Sequence, residues 1–352
     1  MRKEFQSLFC GIVFFLTATP SMATSLSGIE ILQQFNLVVF GDSNSTSHVD
    51  GRTYIGGNLN GGDYVQHAGA TPASNYAGLT VVGNAAGVHV NGLGAVVRGN
   101  LSSSTINTGN AVVLGAATNS SFNGSYRYYV GSNGGGNNFN SAKDATLAND
   151  ATVISSTSTD VNNVLANLSN DLKLVDGNST FDVSGNKVTF HALADSNGMA
   201  TFDISGSSIF ASSISEYAFD VGVNVTSIIM NCDVASADFA INFLGDSARN
   251  FGDKIVWNFY NAASLSIHNQ FGGSILAVNA NLTNDNNIEG GVYVKTLNQR
   301  GEIHLQPYSG EVPSTVTPVP EPSMMLLFGV GLLGLSAVVQ RKIGRASCRE
   351  RV

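Results

Sequence analysis

Short runs of apolar residues, each closed by glycine or by glycine and asparagine, recur through the central part of the chain. The clearest are Val81-Val82-Gly83-Asn84, Val96-Val97-Arg98-Gly99-Asn100 and Val112-Val113-Leu114-Gly115, which begin 15 and 16 residues apart. This spacing is typical of a parallel β-helix, in which each coil buries its apolar residues on the coil below. The pattern therefore predicts a mainly β fold, a parallel β-helix-type solenoid. An antiparallel sandwich, which also uses short strands and frequent turns, is the alternative.

One segment has the periodicity of a helix instead. Its apolar residues recur at steps of three and four: Val161, Val164, Leu165, Leu168 and Leu172. Thr159 or Asp160 can cap its N-terminus, and Gly177 can stop the chain after Leu174. We predict one amphipathic α-helix over residues 160–174, inserted into the β domain and packed lengthwise along one face of it.

Strand patterns resume after this helix. They cover residues 187–191, 200–204, 255–260, 265–268, 274–278, 291–295 and 302–305. No shift in composition separates these strands from the earlier ones, so we expect residues 24–309 to form one β-helix domain.

The N-terminal residues have the order of a secretory signal peptide. Arg2 and Lys3 precede an apolar run of about eleven residues, and small residues flank a cleavage point between Ala23 and Thr24. We predict that signal peptidase removes residues 1–23. An N-terminal membrane anchor is the alternative, but a spanning helix needs about 20 apolar residues.

The C-terminal residues combine a proline-rich segment, an apolar segment and a basic pair. Five of the seven prolines lie between Pro307 and Pro322, so residues 310–323 are predicted to form an extended linker. Residues 324–339 carry no charge, and Arg341 and Lys342 follow them. Sixteen helical residues cover about 24 Å, which is marginal for a bilayer. The basic pair would stay on the cytoplasmic side and retain the segment in the membrane.

Pro320-Glu321-Pro322, the apolar segment and the basic pair together closely resemble the PEP-CTERM sorting signal of Gram-negative bacteria. The resemblance implies recognition by exosortase, transient membrane insertion of residues 324–342, and cleavage near Pro320, Glu321 and Pro322. It also implies release to the cell surface or the extracellular matrix. A plain single-span anchor is the alternative. Residues 343–352 do not fit the signal and resemble a translated sequencing adapter, so no function is assigned to them.

Two stretches of the β domain resemble the opening and closing blocks of the choice-of-anchor A domain. The first runs from Phe35-Asn36-Leu37-Val38-Val39-Phe40-Gly41-Asp42 to Gly56-Gly57-Asn58, and the second from Gly273-Ser274-Ile275-Leu276-Ala277 to Gly301-Glu302-Ile303-His304. The resemblance spans about residues 26–309. It implies surface display of an adhesive, β-helix-like domain and names no ligand.

Charge and cysteine content exclude several classes of protein. The 352 residues carry a net charge of −8, and without the basic and acidic residues of the two ends the body has 10 basic against 23 acidic residues, a net charge of −13. A nucleic-acid partner is therefore not expected. The body has one cysteine, Cys232, which cannot form an intrachain disulfide or a cysteine metal cage.

The strongest enzyme-like motif is Val38-Val39-Phe40-Gly41-Asp42-Ser43, which resembles the nucleophile block of GDS-type esterases. Such a serine needs a histidine base, normally in an Asp-x-x-His pair, and none of the six histidines has an aspartate three residues before it. We predict that Ser43 lies at a strand end beside a solvated Asp42, is not a nucleophile, and that the protein is not an enzyme.

Two other segments offer ligand-like groups. Asn284-Asp285-Asn286-Asn287 with Glu289 could bind calcium, but it lacks the spacing of an EF-hand and a corner turn is favoured. The glycine-rich residues 131–140 lack the residues that follow a phosphate-binding loop, and a flexible loop is favoured. The histidines are scattered along the chain. No catalytic, cofactor or metal site is therefore predicted.

These features favour a secreted adhesive or structural protein of the biofilm or exopolysaccharide, with exopolysaccharide or other surface proteins as partners. A polysaccharide hydrolase or lyase on a β-helix scaffold is the alternative, and a groove that gathers several carboxylates with a basic residue would favour it. Ice binding is a third interpretation, but the Thr-x-Thr ladders of an ice-binding face are missing from the sequence.

Overall fold

The structure, a computed structural model, describes residues 25–124, 126–206 and 208–312. These residues belong to one compact unit. The predicted signal peptide, the sorting segment and the residues proposed for processing or membrane retention lie outside the described residues: Ala23, Thr24, Pro320, Glu321, Pro322, Arg341 and Lys342. None of the helices in the described part is long and apolar enough to cross a bilayer.

The described chain contains four α-helices and many short strands. The helices are α1 Gly28–Gln34, α2 Ala151–Ser155, α3 Val161–Lys173 and α4 Ser247–Asn250. The strands before the helix α3 are β1 Leu37–Val39, β2 Ser43–Ser45, β3 His48–Val49, β4 Thr53–Ile55, β5 Leu59–Asn60, β6 Asp63–Tyr64, β7 Leu79–Val81, β8 Ala85–Ala86, β9 His89–Val90, β10 Ala95–Val97, β11 Leu101–Ser102, β12 Thr105–Ile106, β13 Ala111–Thr118, β14 Ser121–Phe122, β15 Arg127–Asn133, β16 Asn138–Phe139 and β17 Ala142–Lys143. Those after it are β18 Thr180–Ser184, β19 Lys187–Ala192, β20 Met199–Ser205, β21 Glu216–Val221, β22 Ser227–Asp233, β23 Ser236–Phe239, β24 Asn242–Phe243, β25 Ile255–Asn258, β26 Ser264–Ile267, β27 Phe271–Gly272, β28 Ser274–Asn284, β29 Ile288–Glu289, β30 Val292–Gln299 and β31 Ile303–His304.

Successive strands form coils with three faces. In one coil β1 lies on the first face, β2 on the second and β3 on the third, and the strands β4, β5 and β6 of the next coil pair with them in parallel. The first and second faces form one 18-stranded sheet, because long strands such as β13 and β30 continue from one face to the other. The third face is a nine-stranded sheet.

The prediction of a mainly β fold with parallel sheets is confirmed, and the arrangement is consistent with a β-helix. Within the described ranges, the antiparallel pair is β18 with β19, in a separate four-stranded sheet. The sandwich alternative is therefore wrong.

The order of coils in the stack differs from their order along the chain. The strand β1 pairs on one side with β4, Leu37 beside Thr53, and on the other with β30, Leu37 beside Val292. The first-face strands consequently follow the order β20, β22, β25, β28, β30, β1, β4, β7, β10, β13, β15 and β17.

This stack order corrects the predicted place of the helix. The helix α3 is not an insertion into a continuous stack, because it lies in the segment that joins β17, at one end of the stack, to β20, at the other. Nor is it alone: α1, α2 and α4 were not predicted from the sequence, and α1 packs into the same apolar cluster as α3.

The helix α3 has the predicted bounds within one residue. The Asp160 side chain caps it by accepting a hydrogen bond from the Asn163 N–H at 3.1 Å. Its apolar stripe packs across outward side chains of successive first-face strands, among them Ile229, Val256 and Leu276. The helix therefore lies lengthwise on the β body, as the sequence predicts.

The repeated glycine and asparagine have a common structural cause at the corner between the first and second faces. The N–H of Asn100 donates to the side-chain oxygen of Asn84 at 2.9 Å, and the N–H of Asn84 donates to that of Asn58 at 3.0 Å. Each asparagine side chain thus accepts a hydrogen bond from a backbone N–H of the next coil. The preceding glycines lie so close that a Cβ on Gly99 would approach the carbonyl oxygen of Gly83 to 2.4 Å.

The interior differs between the two halves of the stack. Mainly aliphatic residues fill the coils from β4 to β13, among them Leu79, Val81, Ala95 and Val97, with Tyr64 as the buried aromatic residue of β6. The coils after α3 instead enclose a cluster of aromatic rings around Trp257.

Candidate functional site

The second face presents a continuous row of small outward side chains. Strand register places nine of them side by side: Asp238, Ser266, Thr283, Asn298, Asn44, Asn60, Ala86, Ser102 and Thr118. All nine are exposed or half-buried, whereas the residue that precedes each of them in the chain is buried in the core. At about 4.8 Å between neighbouring strands, the row extends for roughly 38 Å.

A second row runs beside the first along the corner. Register and hydrogen bonds connect Ser236, Ser264, Asn281, Thr296, Asp42, Asn58, Asn84 and Asn100. We call these two rows together the second-face ladder. A shallow depression of about 490 Å³ lies on its Asn44 to Ser102 part.

The ladder offers mainly amides and hydroxyls, with carboxylates only at Asp42 and Asp238. Such groups both donate and accept hydrogen bonds. Because the strands fix the spacing of the rows, little order has to be imposed when a ligand binds. The ladder is therefore suited to bind an extended, neutral ligand that is rich in hydroxyl groups.

A different cluster occupies the third face, where β3 and β29 flank β31. His304 lies between two carboxylates, with Nδ1 2.9 Å from Glu289 Oε1 and Nε2 2.8 Å from Glu302 Oε2. His48 lies on the other side of Glu302, its Nδ1 3.7 Å from Glu302 Oε1. A cavity of about 660 Å³ opens above the cluster, and Asp50 and His67 also line it.

The carboxylates around His304 change its acid–base behaviour. The hydrogen bond to Glu289 is the largest influence and, aided by Glu302, it raises the pKa of His304 to about 9 although burial opposes it. For Glu289, burial alone would raise the pKa. The hydrogen bonds from His304 and Gln270 outweigh that effect and leave the pKa of Glu289 below its ordinary value. The pair is therefore charged near neutral pH.

This cluster was missed by the sequence analysis, which described the histidines as scattered. The structure brings together His48, His67 and His304, because the first coil stacks on the last. A weak signal was present in His48-x-Asp50 and Glu302-x-His304, since alternate residues of a strand share one face. Nothing in the sequence indicates that these two pairs are neighbours.

His191, on β19, lies between two carboxylates as well. Its Nδ1 is 3.1 Å from Asp220 Oδ2 and its Nε2 is 3.2 Å from Asp182 Oδ2. Both contacts raise the pKa of His191, and the hydrogen bond to Asp220 has the largest effect. The stabilising effect of the charged ring is complete below the unfolded pKa of about 6.5 and is lost as the pH rises through the higher folded value.

Replacing Asp220 by asparagine is expected to lower the pKa of His191, because the largest of the stabilising contacts is removed. An NMR titration of the ring protons measures the change. Asp182→Asn, which removes a smaller contribution, is the control and is expected to lower the pKa less. An unchanged pKa in Asp220→Asn would contradict the assignment.

Ser43 lies at a strand end, as predicted, but its side chain is buried. It opens β2 and is buried, facing the core, and its hydroxyl has no hydrogen-bond partner among the described residues. Asp42 is not merely solvated, because its carboxylate accepts hydrogen bonds from the N–H of Asn58 at 2.7 Å and from its side-chain amide at 3.2 Å. No histidine is bonded to the Ser43 hydroxyl in the described part of the chain.

The other two candidate segments serve the fold. Asn284-Asp285-Asn286-Asn287 spans the turn between β28 and β29, where Asp285 contacts His268 and Arg300 at 3.0 and 3.1 Å. Residues 131–140 are not a flexible loop as predicted, because β15 and β16 take up half of them, with a turn over residues 134–137.

Comparison with known proteins identifies two parts of the chain. Residues 28–305 match the family model described as a putative ice-binding-like adhesive domain. Residues 318–342 match the PEP-CTERM protein-sorting motif. Searches of the curated proteins and of the solved structures found no match. The assignment to choice-of-anchor A stays a prediction.

Proposed function

The chain belongs to the family of ice-binding-like adhesive domains, and from this premise we propose that it attaches to extracellular polysaccharide through the second-face ladder. The sorting motif makes it an exported surface or extracellular protein of a Gram-negative bacterium, and the domain gives it an adhesive role. The finer proposal concerns the ligand, a biofilm or exopolysaccharide chain, and the surface that binds it.

The continuous row from Asp238 to Thr118 carries this proposal. A glycan is an extended chain of hydroxyls, so a row of amides and hydroxyls about 38 Å long can form many weak hydrogen bonds to it at once. The low charge of the ladder fits a neutral polymer. A chain of this kind is bound by repetition rather than by one deep pocket.

Tyrosine at Asn60 or Asn298 is expected to weaken binding to matrix polysaccharide about tenfold, because a large ring raised above the flat ladder prevents close approach; tenfold corresponds to about 1.4 kcal/mol. Retention of the purified protein on immobilised exopolysaccharide measures the effect. Asn138→Tyr is the matched control, since Asn138 is an exposed strand asparagine on the third face. Equal loss in the control would place the binding surface elsewhere. Inhibition of ice growth by the wild type, with no polysaccharide binding, would favour ice as the ligand.

We also propose that exosortase processes the chain near Pro320-Glu321-Pro322 after the apolar segment enters the membrane. The match of residues 318–342 to the sorting motif supports this step. In an exosortase-competent cell, replacement of these three residues by alanine is expected to leave uncut protein in the membrane fraction. Intact mass of the extracellular wild type gives the cleavage position. Extracellular protein that still carries residues 324–342 would contradict the proposal.

The adhesive role needs no catalysis, and we propose that Ser43 is not a nucleophile. Its burial and the lack of a bonded base among the described residues support this.

The runner-up function, a polysaccharide hydrolase or lyase, is favoured by the third-face cavity, which gathers Asp50, Glu289 and Glu302 beside histidines. Depolymerisation of exopolysaccharide by the wild type, lost in Glu302→Gln, would support the enzyme; no depolymerisation is expected.

A further inference from the structure

We propose that the cluster between β3 and β31 binds one divalent transition-metal ion of the zinc class through His48, Glu302 and His304. One ligand atom from each of these side chains lies within 4.8 Å of the others. His48 lies on β3, His304 on β31 and Glu302 directly before β31, and the stacking of the last coil on the first places these two strands side by side. This inference is independent of the ladder and of the polysaccharide.

Buried carboxylates behind the two histidines support a metal site. Glu289 is only 3% exposed and accepts a hydrogen bond from His304 Nδ1, which leaves Nε2 directed at Glu302. Asp50 is 5% exposed and lies 3.6 Å from His48 Nε2, which leaves Nδ1 facing Glu302. The hydrogen bond to Glu289 fixes the ring and tautomer of His304, as is usual around protein-bound metals, and Asp50 places a second carboxylate on the outer side of His48.

Other donors hold these two carboxylates in place. The N–H of Leu305 donates to Asp50 at 3.1 Å, and the side chains of Gln270 and Gln306 donate to Glu289 at 2.6 and 3.2 Å. Neither carboxylate needs to move when a metal enters, and the ion displaces the proton that lies between His304 Nε2 and Glu302. The cluster therefore has a fixed outer shell around three side chains that can converge on one ion.

The ligand types select the metal class. Two imidazoles and one carboxylate suit zinc and similar ions, whereas calcium prefers six to eight oxygen ligands. Three protein ligands leave a fourth position open. Here that position faces the cavity of about 660 Å³, where water or an oxygen of an external ligand fits.

Two other histidines provide internal controls. His191 and His268 each lie between two carboxylates at 3.0 to 3.2 Å, like His304. Neither belongs to a group of three metal-ligating side chains within the described residues. A histidine between two carboxylates therefore occurs at three places in the described residues. The proposed site differs from the other two because a second histidine, His48, lies within ligand distance.

The test is calorimetric titration of the purified, tag-free protein with zinc chloride. We expect one ion per chain, and a loss of affinity of at least about tenfold in His48→Gln and in His304→Gln. His191→Gln and His268→Gln should bind like the wild type, and calcium should not compete. Circular dichroism establishes that each variant is folded, and the visible spectrum of the cobalt(II) form reports histidine ligation.

Three results would overturn the proposal. The first is that the wild type takes up no zinc at a one-to-one ratio. The variants His48→Gln and His304→Gln, although folded, could bind zinc as tightly as the wild type. The control variants could lose affinity to the same extent, which would indicate general binding to surface histidines.

Discussion

Replacing Gly99 by alanine is expected to lower the free energy of unfolding by about 3 kcal/mol, which is large for the addition of one methyl group. The new Cβ would lie 2.4 Å from the carbonyl oxygen of Gly83 and 2.7 Å from the side-chain oxygen of Asn84. The first contact is with backbone, so relief requires separation of two coils. The hydrogen bond from Asn100 N–H to Asn84, 2.9 Å long, would be strained by the same movement.

Gly69→Ala is the matched control for this change. No heavy atom lies within 4 Å of a Cβ at that position, so we expect a change of no more than about 0.5 kcal/mol. Chemical denaturation of both variants, followed by circular dichroism, gives the comparison. Equal stability of Gly99→Ala and the wild type would contradict the close packing of successive corners.

Replacing Trp257 by alanine is expected to cost about 4 kcal/mol of unfolding free energy, because it leaves a large cavity in the aromatic part of the core. The indole is fully buried, and its N–H donates to the carbonyl oxygen of Gly272 at 2.9 Å. It packs on Tyr217 and Phe271, with ring centroids 5.9 and 5.4 Å away. The substitution removes all of these contacts and leaves a buried carbonyl without its donor.

Tyr126→Ala provides the control for loss of an aromatic ring. Tyr126 is 48% exposed, and we expect its replacement to change the free energy of unfolding by no more than about 0.5 kcal/mol. Trp257→Phe should lose less than Trp257→Ala, since most of the volume is kept. If Trp257→Ala unfolded at the same denaturant concentration as the wild type, the assignment of Trp257 to the core would be wrong.

The repeated coils could be predicted because their spacing is written directly in the sequence. A coil of 16 residues places Val81 beside Val97, and Val97 beside Val113, so the period in the chain equals the period in the stack. The helix α3 was predictable for a similar reason, since its apolar stripe has its own period. The coils after α3 lack regular Gly-Asn corners. Seven strands were missed there: β18, β21, β22, β23, β24, β27 and β29.

The candidate sites were less accessible from the sequence. The sequence period indicates which coils follow one another along the chain, but it does not indicate that β30 pairs with β1. Both the continuous ladder and the histidine cluster depend on this stacking of the last coil on the first. Asn44 and Asn298 were therefore not recognised as neighbours, nor were His48 and His304. The inward orientation of Ser43 also depends on the start of β2, which its Gly-Asp-Ser context did not reveal.

The pairing of β1 with β30 has a consequence for the time at which the domain can fold. The edge of β1 stays open until β30 has been synthesised, about 250 residues later, so the stack cannot close before most of the chain has been made. Contacts between residues so far apart in sequence form slowly. We expect this delay to keep the newly made chain unfolded long enough for secretion, and the complete second-face ladder to form only after the chain has left the cytoplasm.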